Sequence, residues 1–197
     1  NEKFDYDIPV TKFGFYIPPV SHPDTHALTV LSYILGYGEN ALLNRHFVED
    51  TGKGVFARGY PDTMTGIGIY SYMVGYSPTQ KQKDISKELF HVLDRLIQDG
   101  ISESEIKAAK KRVVSDTIFE RFGVDNIAYS LGYAELALGG WESYNNAINI
   151  YNSISNDDIN RVLRTYFIRE NLITYNLSPK DIGPLDILKF RFFGLFN

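Results

Sequence analysis

Two histidines four residues apart, His22 and His26 in the run Ser21-His22-Pro23-Asp24-Thr25-His26, are the side chains best spaced to bind a metal. On a helix, positions i and i+4 share a face, so both imidazoles can meet one zinc ion. The run departs at a single fixed position from the zinc pattern His-x-x-Glu-His, whose Glu is the general base that activates the metal-bound water. Thr25 stands there instead, with no carboxylate to take that proton at neutral pH. His22 precedes Pro23, at the expected start of the helix, where its ring points away. The expectation is two surface histidines at a helix N-terminus, with no metal site and no catalytic residue.

Other chemistries are excluded by spacing or composition. The glycines of GYGENA follow a helical pattern rather than a strand. Gly66 and Gly68 sit inside a strand pattern with no helix after it, so neither group is a phosphate loop. No Ser sits in a Gly-x-Ser-x-Gly elbow. There is no Cys, which removes disulfides and thiolate ligands. The net charge is −4, and the densest basic group, Lys107, Lys110, Lys111 and Arg112, is preceded by Glu103 and Glu105, so nucleic acid is not an expected partner. No apolar run approaches the roughly 20 residues that span a bilayer. The basic, aromatic ending LKFRFFGLFN is expected to pack on its own domain or a neighbour. The chain begins without Met and without signal-peptide character, and so reads as an excised or processed fragment. Its compartment is not readable; a soluble protein of the bacterial periplasm or cytoplasm fits.

The elements that position these residues are legible by period. Phe13, Phe15 and Ile17 alternate with polar or small residues as a strand ended by Pro18-Pro19. Ser21 with Asp24 suggests a capping box, and Ala27, Leu28, Leu31, Ile34 and Leu35 form one helical face that ends at Gly36 and Gly38. A shorter helix is expected over 40–49. Strands follow at 55–58 and 65–74, turning around Gly59, Pro61 and Asp62, with Ile67, Ile69 and Met73 on one face. Ser77-Pro78 opens a long helix that Gly100 stops, and Ser102 with Glu105 caps the next, to about Phe122. Helices are predicted over 125–138 and 142–154, and one capped by Ser155 and Asp158 through Tyr166, before a strand at 172–177. The fold class is α+β: a mainly antiparallel sheet with several helices packed on one face. No linker divides the chain, so one domain is expected over 1–180, with a C-terminal extension over 181–197. Tyr70, Tyr72 and Tyr76 are expected to pack under helices, with a half-polar chamber lining as the alternative.

The order KFGFYIPP, HPDTHALTVLSYILGYG, ALLNRHFVEDTGKGVFA and MTGIGIYSYMV, followed by QDGISESEIKAAKKRVVSD, resembles the second half-domain of insulinase/pitrilysin-type zinc peptidases, over about residues 10–178. Many such halves carry an Arg in the short helix and a Tyr seven residues later. The resemblance implies that this pair holds the substrate backbone and supports the tetrahedral intermediate. Aligned on Gly52, the two positions are Val48 and Val55, which offer no donor; aligned on Gly54, they are His46 and Lys53. The family's third zinc ligand is a downstream Glu, for which Glu103 and Glu105 lie at a comparable distance from His22 and His26. The resemblance thus implies a non-catalytic, chamber-forming half-domain of a zinc-dependent metalloendopeptidase acting on peptides or unfolded proteins. Zinc would belong to the parent enzyme, and the partner would be a catalytic zinc-binding half or subunit. The alternative is an inactive pseudopeptidase used as a scaffold.

Overall fold

Alternating apolar residues make strand β2 (Val10–Ile17), which sends Phe13, Phe15 and Ile17 into the core while Tyr16 faces out. In this computed structural model, which describes residues 2–4, 8–63, 65–179 and 183, β2 lies near the middle of a five-stranded sheet. The other strands are β1 (Glu2–Phe4), β3 (Gly54–Asp62), β4 (Gly68–Tyr76) and β5 (Leu172–Pro179), in the order β1-β5-β2-β4-β3. Among the described residues only the β1–β5 pair is parallel. β3 continues through Gly59, Pro61 and Asp62, the residues expected to turn. It is an end strand, where a missing ladder donor at Pro61 is tolerated. The face of β4 shared by Ile69 and Met73 is the half-exposed one. Tyr70, Tyr72 and Val74 fill the core side, and Tyr76 is buried as well, so these tyrosines pack under helices rather than line an open surface.

Helix α1 (Asp24–Leu35) is the hub. It contacts β3 and four further helices, α2 (Leu42–Asn44), α4 (Glu103–Phe119), α6 (Glu142–Ser153) and α7 (Asn156–Tyr166). Leu28, Leu31 and Leu35 of α1 join Ile159, Val162 and Leu163 of α7 in the main core. Ile85, Leu89, Val92 and Leu93 of α3 (Gln82–Asp99) complete it. Each such side chain contributes roughly 1.5–3 kcal/mol on burial. Gly36 ends α1 against β3. A Cβ on Gly36 would lie 2.6 Å from the Gly59 backbone nitrogen, whose N–H donates to the Gly36 carbonyl at 2.8 Å. Only a glycine lets helix and strand meet this closely.

Helix α2 runs directly into a π-helical turn (Arg45–Asp50), and α5 spans Val124–Ala137. Ser155 and Asp158 form the reciprocal capping box expected for α7, and Ser102 accepts from the Glu105 N–H at the start of α4. Two expected caps are absent. Pro23 lies at the N-cap of α1, and the Asp24 N–H is satisfied by Nδ1 of His22 rather than by Ser21. Ser77 closes a turn onto Gln80 before α3 begins at Gln82. The 181–197 extension, with its aromatic ending, lies outside the described residues apart from position 183.

Candidate functional site

The junction from α2 to β3 carries both candidate residue pairs, and it is irregular on each side. The π-turn fits an extra residue into a helix, a distortion common at functional sites. Gly52 then takes a left-handed conformation, φ +58°. The β3–β4 register slips between Gly54 and Phe56, which makes Val55 the extra residue of a β-bulge. Thr51 stitches the junction together, its hydroxyl donating to the His46 carbonyl at 2.9 Å.

Val48, on the π-turn, and Val55, on the bulge, are each half-buried. Both are aliphatic, so neither can donate to a substrate carbonyl. His46 and Lys53 are the pair the structure brings together, and it does so on a third residue. His46 Nε2 lies 2.8 Å from Glu88 Oε1, and Lys53 Nζ donates to Glu88 Oε2. The Glu88 side chain on α3 is 14% exposed. Burial alone would raise its pKa, but the Lys53 and His46 hydrogen bonds and charges outweigh it and hold the carboxyl below its ordinary range. Glu88 therefore pins the junction to α3 and engages both donors. It was not legible in the sequence, where it is one more polar residue beside the apolar stripe of α3, 35 positions beyond Lys53.

His22 and His26 separate. His22 is exposed and serves the backbone of Asp24. His26 is half-buried rather than a surface residue, its ring 5.5 Å from that of Tyr151 on α6, and burial lowers its pKa so that the neutral form is favoured. Glu105 is occupied at its own helix start, accepting from Ser102 at 2.8 Å, and lies 3.6 Å from Arg45. Among the described residues no three His, Cys, Asp or Glu side chains converge in a way that could hold a metal ion. The described residues thus do not fit zinc.

Asp24 has a different role. Arg161 grips it with both terminal nitrogens, at 3.0 and 2.6 Å, and the Tyr166 hydroxyl donates to it at 2.8 Å. The Arg161 hydrogen bond is the main cause of a lowered carboxyl pKa. The cluster ties the start of α1 to α7.

Comparison with known proteins places this architecture. The family described as Peptidase M16 inactive domain matches residues 3–113. An uncharacterized zinc protease of Bacillus subtilis, YmxG, is 24% identical over 171 residues, covering 87% of this chain but 41% of the relative. The zinc protease PqqE of Helicobacter pylori is 25% identical over 105 residues, 53% of this chain and 24% of that protein. In fold, the chain superposes on a Helicobacter pylori protease with a TM-score of 0.81 at 20% identity, over 88% of this chain and 42% of that one. It superposes equally well, TM-score 0.81 at 17% identity, on the inactive peptidase domain of a Bordetella parapertussis protein assigned as a zinc protease, over 92% of this chain and 96% of that domain. The chain thus spans less than half the length of the curated relatives it matches and nearly the whole of a separately solved inactive domain.

Proposed function

Because the chain belongs to the M16 peptidases, the insulinase/pitrilysin-type zinc peptidases, through their inactive domain, we propose that it forms the non-catalytic wall of a proteolytic chamber. The match of the inactive-domain family to residues 3–113 carries this reading. In the proposal a second half, in the same parent protein or in a partner subunit, holds the zinc and cleaves peptides or unfolded proteins. This half closes the chamber and shapes what enters it.

Two observations support it. The implied substrate-gripping positions hold Val48 and Val55 in the register aligned on Gly52, and in the other register both donors, His46 and Lys53, are spent on Glu88. The solved relatives include a periplasmic protease, PqqL of Escherichia coli, matched over 20% of its length with a TM-score of 0.72. A periplasmic setting is accordingly one of the two expected compartments.

The test is cleavage of an unfolded protein by the full-length parent, alone and with candidate partner subunits, before and after chelation. Chelator-sensitive cleavage by the parent or its complex, with none by residues 1–197 alone, is the expected result. Cleavage by the 197-residue chain alone overturns it. No cleavage in any combination favours the scaffold alternative. In an active parent, Val48→Ala and Val55→Ala should each change kcat by less than about twofold, because neither removes a hydrogen bond to the transition state.

A further inference from the structure

A second site lies on the far side of α1, where α4, α5 and α6 meet around a cavity of about 310 Å3. Four tyrosines line it, Tyr129 and Tyr133 from α5 and Tyr144 and Tyr151 from α6, with His26 from α1 and Glu120 from the end of α4. No Lys or Arg lines it, and Glu120 is its only carboxylate. The sequence around it is biased in the same direction. From Phe122 to Asn160 the chain carries Asp125, Glu135, Glu142, Asp157 and Asp158, and no Lys or Arg at all. The rings of Tyr129 and Tyr133 are parallel within 8°, with centroids 6.3 Å apart, one helical turn from each other on the exposed side of α5.

Aromatic faces with a nearby carboxylate and no competing base attract organic cations, most strongly planar guanidinium groups, which stack on the ring while their edges donate hydrogen bonds. The molecule itself shows such a contact at this place. The Arg121 guanidinium lies 4.5 Å from the Tyr144 ring centroid, and Nη2 donates to the Tyr144 carbonyl. Arg121 is half-buried and held on Tyr144 by these contacts, whereas Tyr129 is 74% and Tyr133 38% exposed. The neutral His26 at the inner end adds no opposing charge.

We infer that this cavity is a binding site for the arginine side chain of a peptide. The guanidinium stacks against the Tyr129–Tyr133 face, its charge is met by Glu120, and its methylene stem lies over Leu138 and Ala147. The site gives the α5–α6 hairpin a preference among peptides without any part in bond cleavage, so it does not depend on the peptidase reading.

The probe is the peptide acetyl-Ala-Arg-Ala-amide, titrated into the full-length protein and followed by the NMR signals of the tyrosine rings. Its partner is the same peptide with citrulline, which keeps the shape and removes the charge. The arginine peptide should bind weakly, on the order of millimolar, and at least about fivefold more tightly than the citrulline peptide. Glu120→Gln should weaken it about threefold and Tyr133→Ser more. Both residues are exposed, so these variants fold, and Tyr60→Ser on the distant strand β3 should leave binding unchanged. Equal binding of the two peptides, no binding, or an equal loss with Tyr60→Ser would overturn the inference. None of these readouts requires proteolysis, so failure here is distinct from failure of the chamber proposal.

Discussion

Helices α1 and α6 are the same length, twelve residues, yet nine residues of α1 are buried and none of α6 is. Helix α5 buries only Ala134. The two regions are built on different energetics. Around α1, apolar contact on nearly every side, the Gly36–Gly59 backbone contact and the Asp24–Arg161 pair hold one geometry. In the α5–α6 hairpin, polar faces, capping turns and edge aromatics hold a surface that solvent reaches from most directions. A protein with its stability concentrated at the hub can let the hairpin open locally at small cost and use it for recognition.

The sharpest way to break this contrast is truncation at equal chemistry. Leu31→Ala, at a fully buried position, should cost about 3 kcal/mol, and Leu136→Ala, at a position 86% exposed, less than about 0.5 kcal/mol, both by denaturant unfolding. Comparable losses would mean that the hairpin packs against something in solution. Gly36→Ala should cost about 2 kcal/mol, because the new methyl meets β3 backbone rather than a side chain that can swing away.

Asp24→Asn should cost about 1–2 kcal/mol, a value reduced because half of the Arg161 side chain is exposed to solvent. The same pair gives a pH signature. The Asp24 pKa is lowered from 3.8 in the fold, so its contribution is complete above that value and fades as pH falls through the lower folded value. Acid unfolding curves of wild type and Asp24→Asn should therefore converge as pH falls below the ordinary carboxyl value of 3.8 and through the lowered folded one. The smallest expected effect is dynamic: amide hydrogens of α6 should exchange at least about tenfold faster than those of α1 in native buffer.

How far the sequence could be read follows the same division. Periodicity located α1, α3 and α7 because they bury one face or more, and the Ser155–Asp158 box was legible because both partners are local. Ser21 failed as a cap because His22, two residues before Asp24, was the nearer acceptor. Pro61 misled because its cost to a strand disappears at the sheet edge. The parallel pairing of Glu2–Phe4 with Leu177–Pro179 joins opposite ends of the chain, and no local pattern announces it. Glu88 was missed for the same reason, since its partners are set by tertiary packing alone. The Val48 and Val55 positions depended on a resemblance, and the tyrosine cavity emerged only when four helices were assembled.

The π-turn and the bulge at Val55 sit at either end of one short junction, and each already contains a residue more than regular geometry requires. Deletion of a single residue between Arg45 and Phe56 can thus be absorbed by regularising either one, while α1 and β4 stay in place. For the history of the domain, this makes the junction a place where length can drift without unfolding the protein, and where the side chains presented to the outside can change in one step.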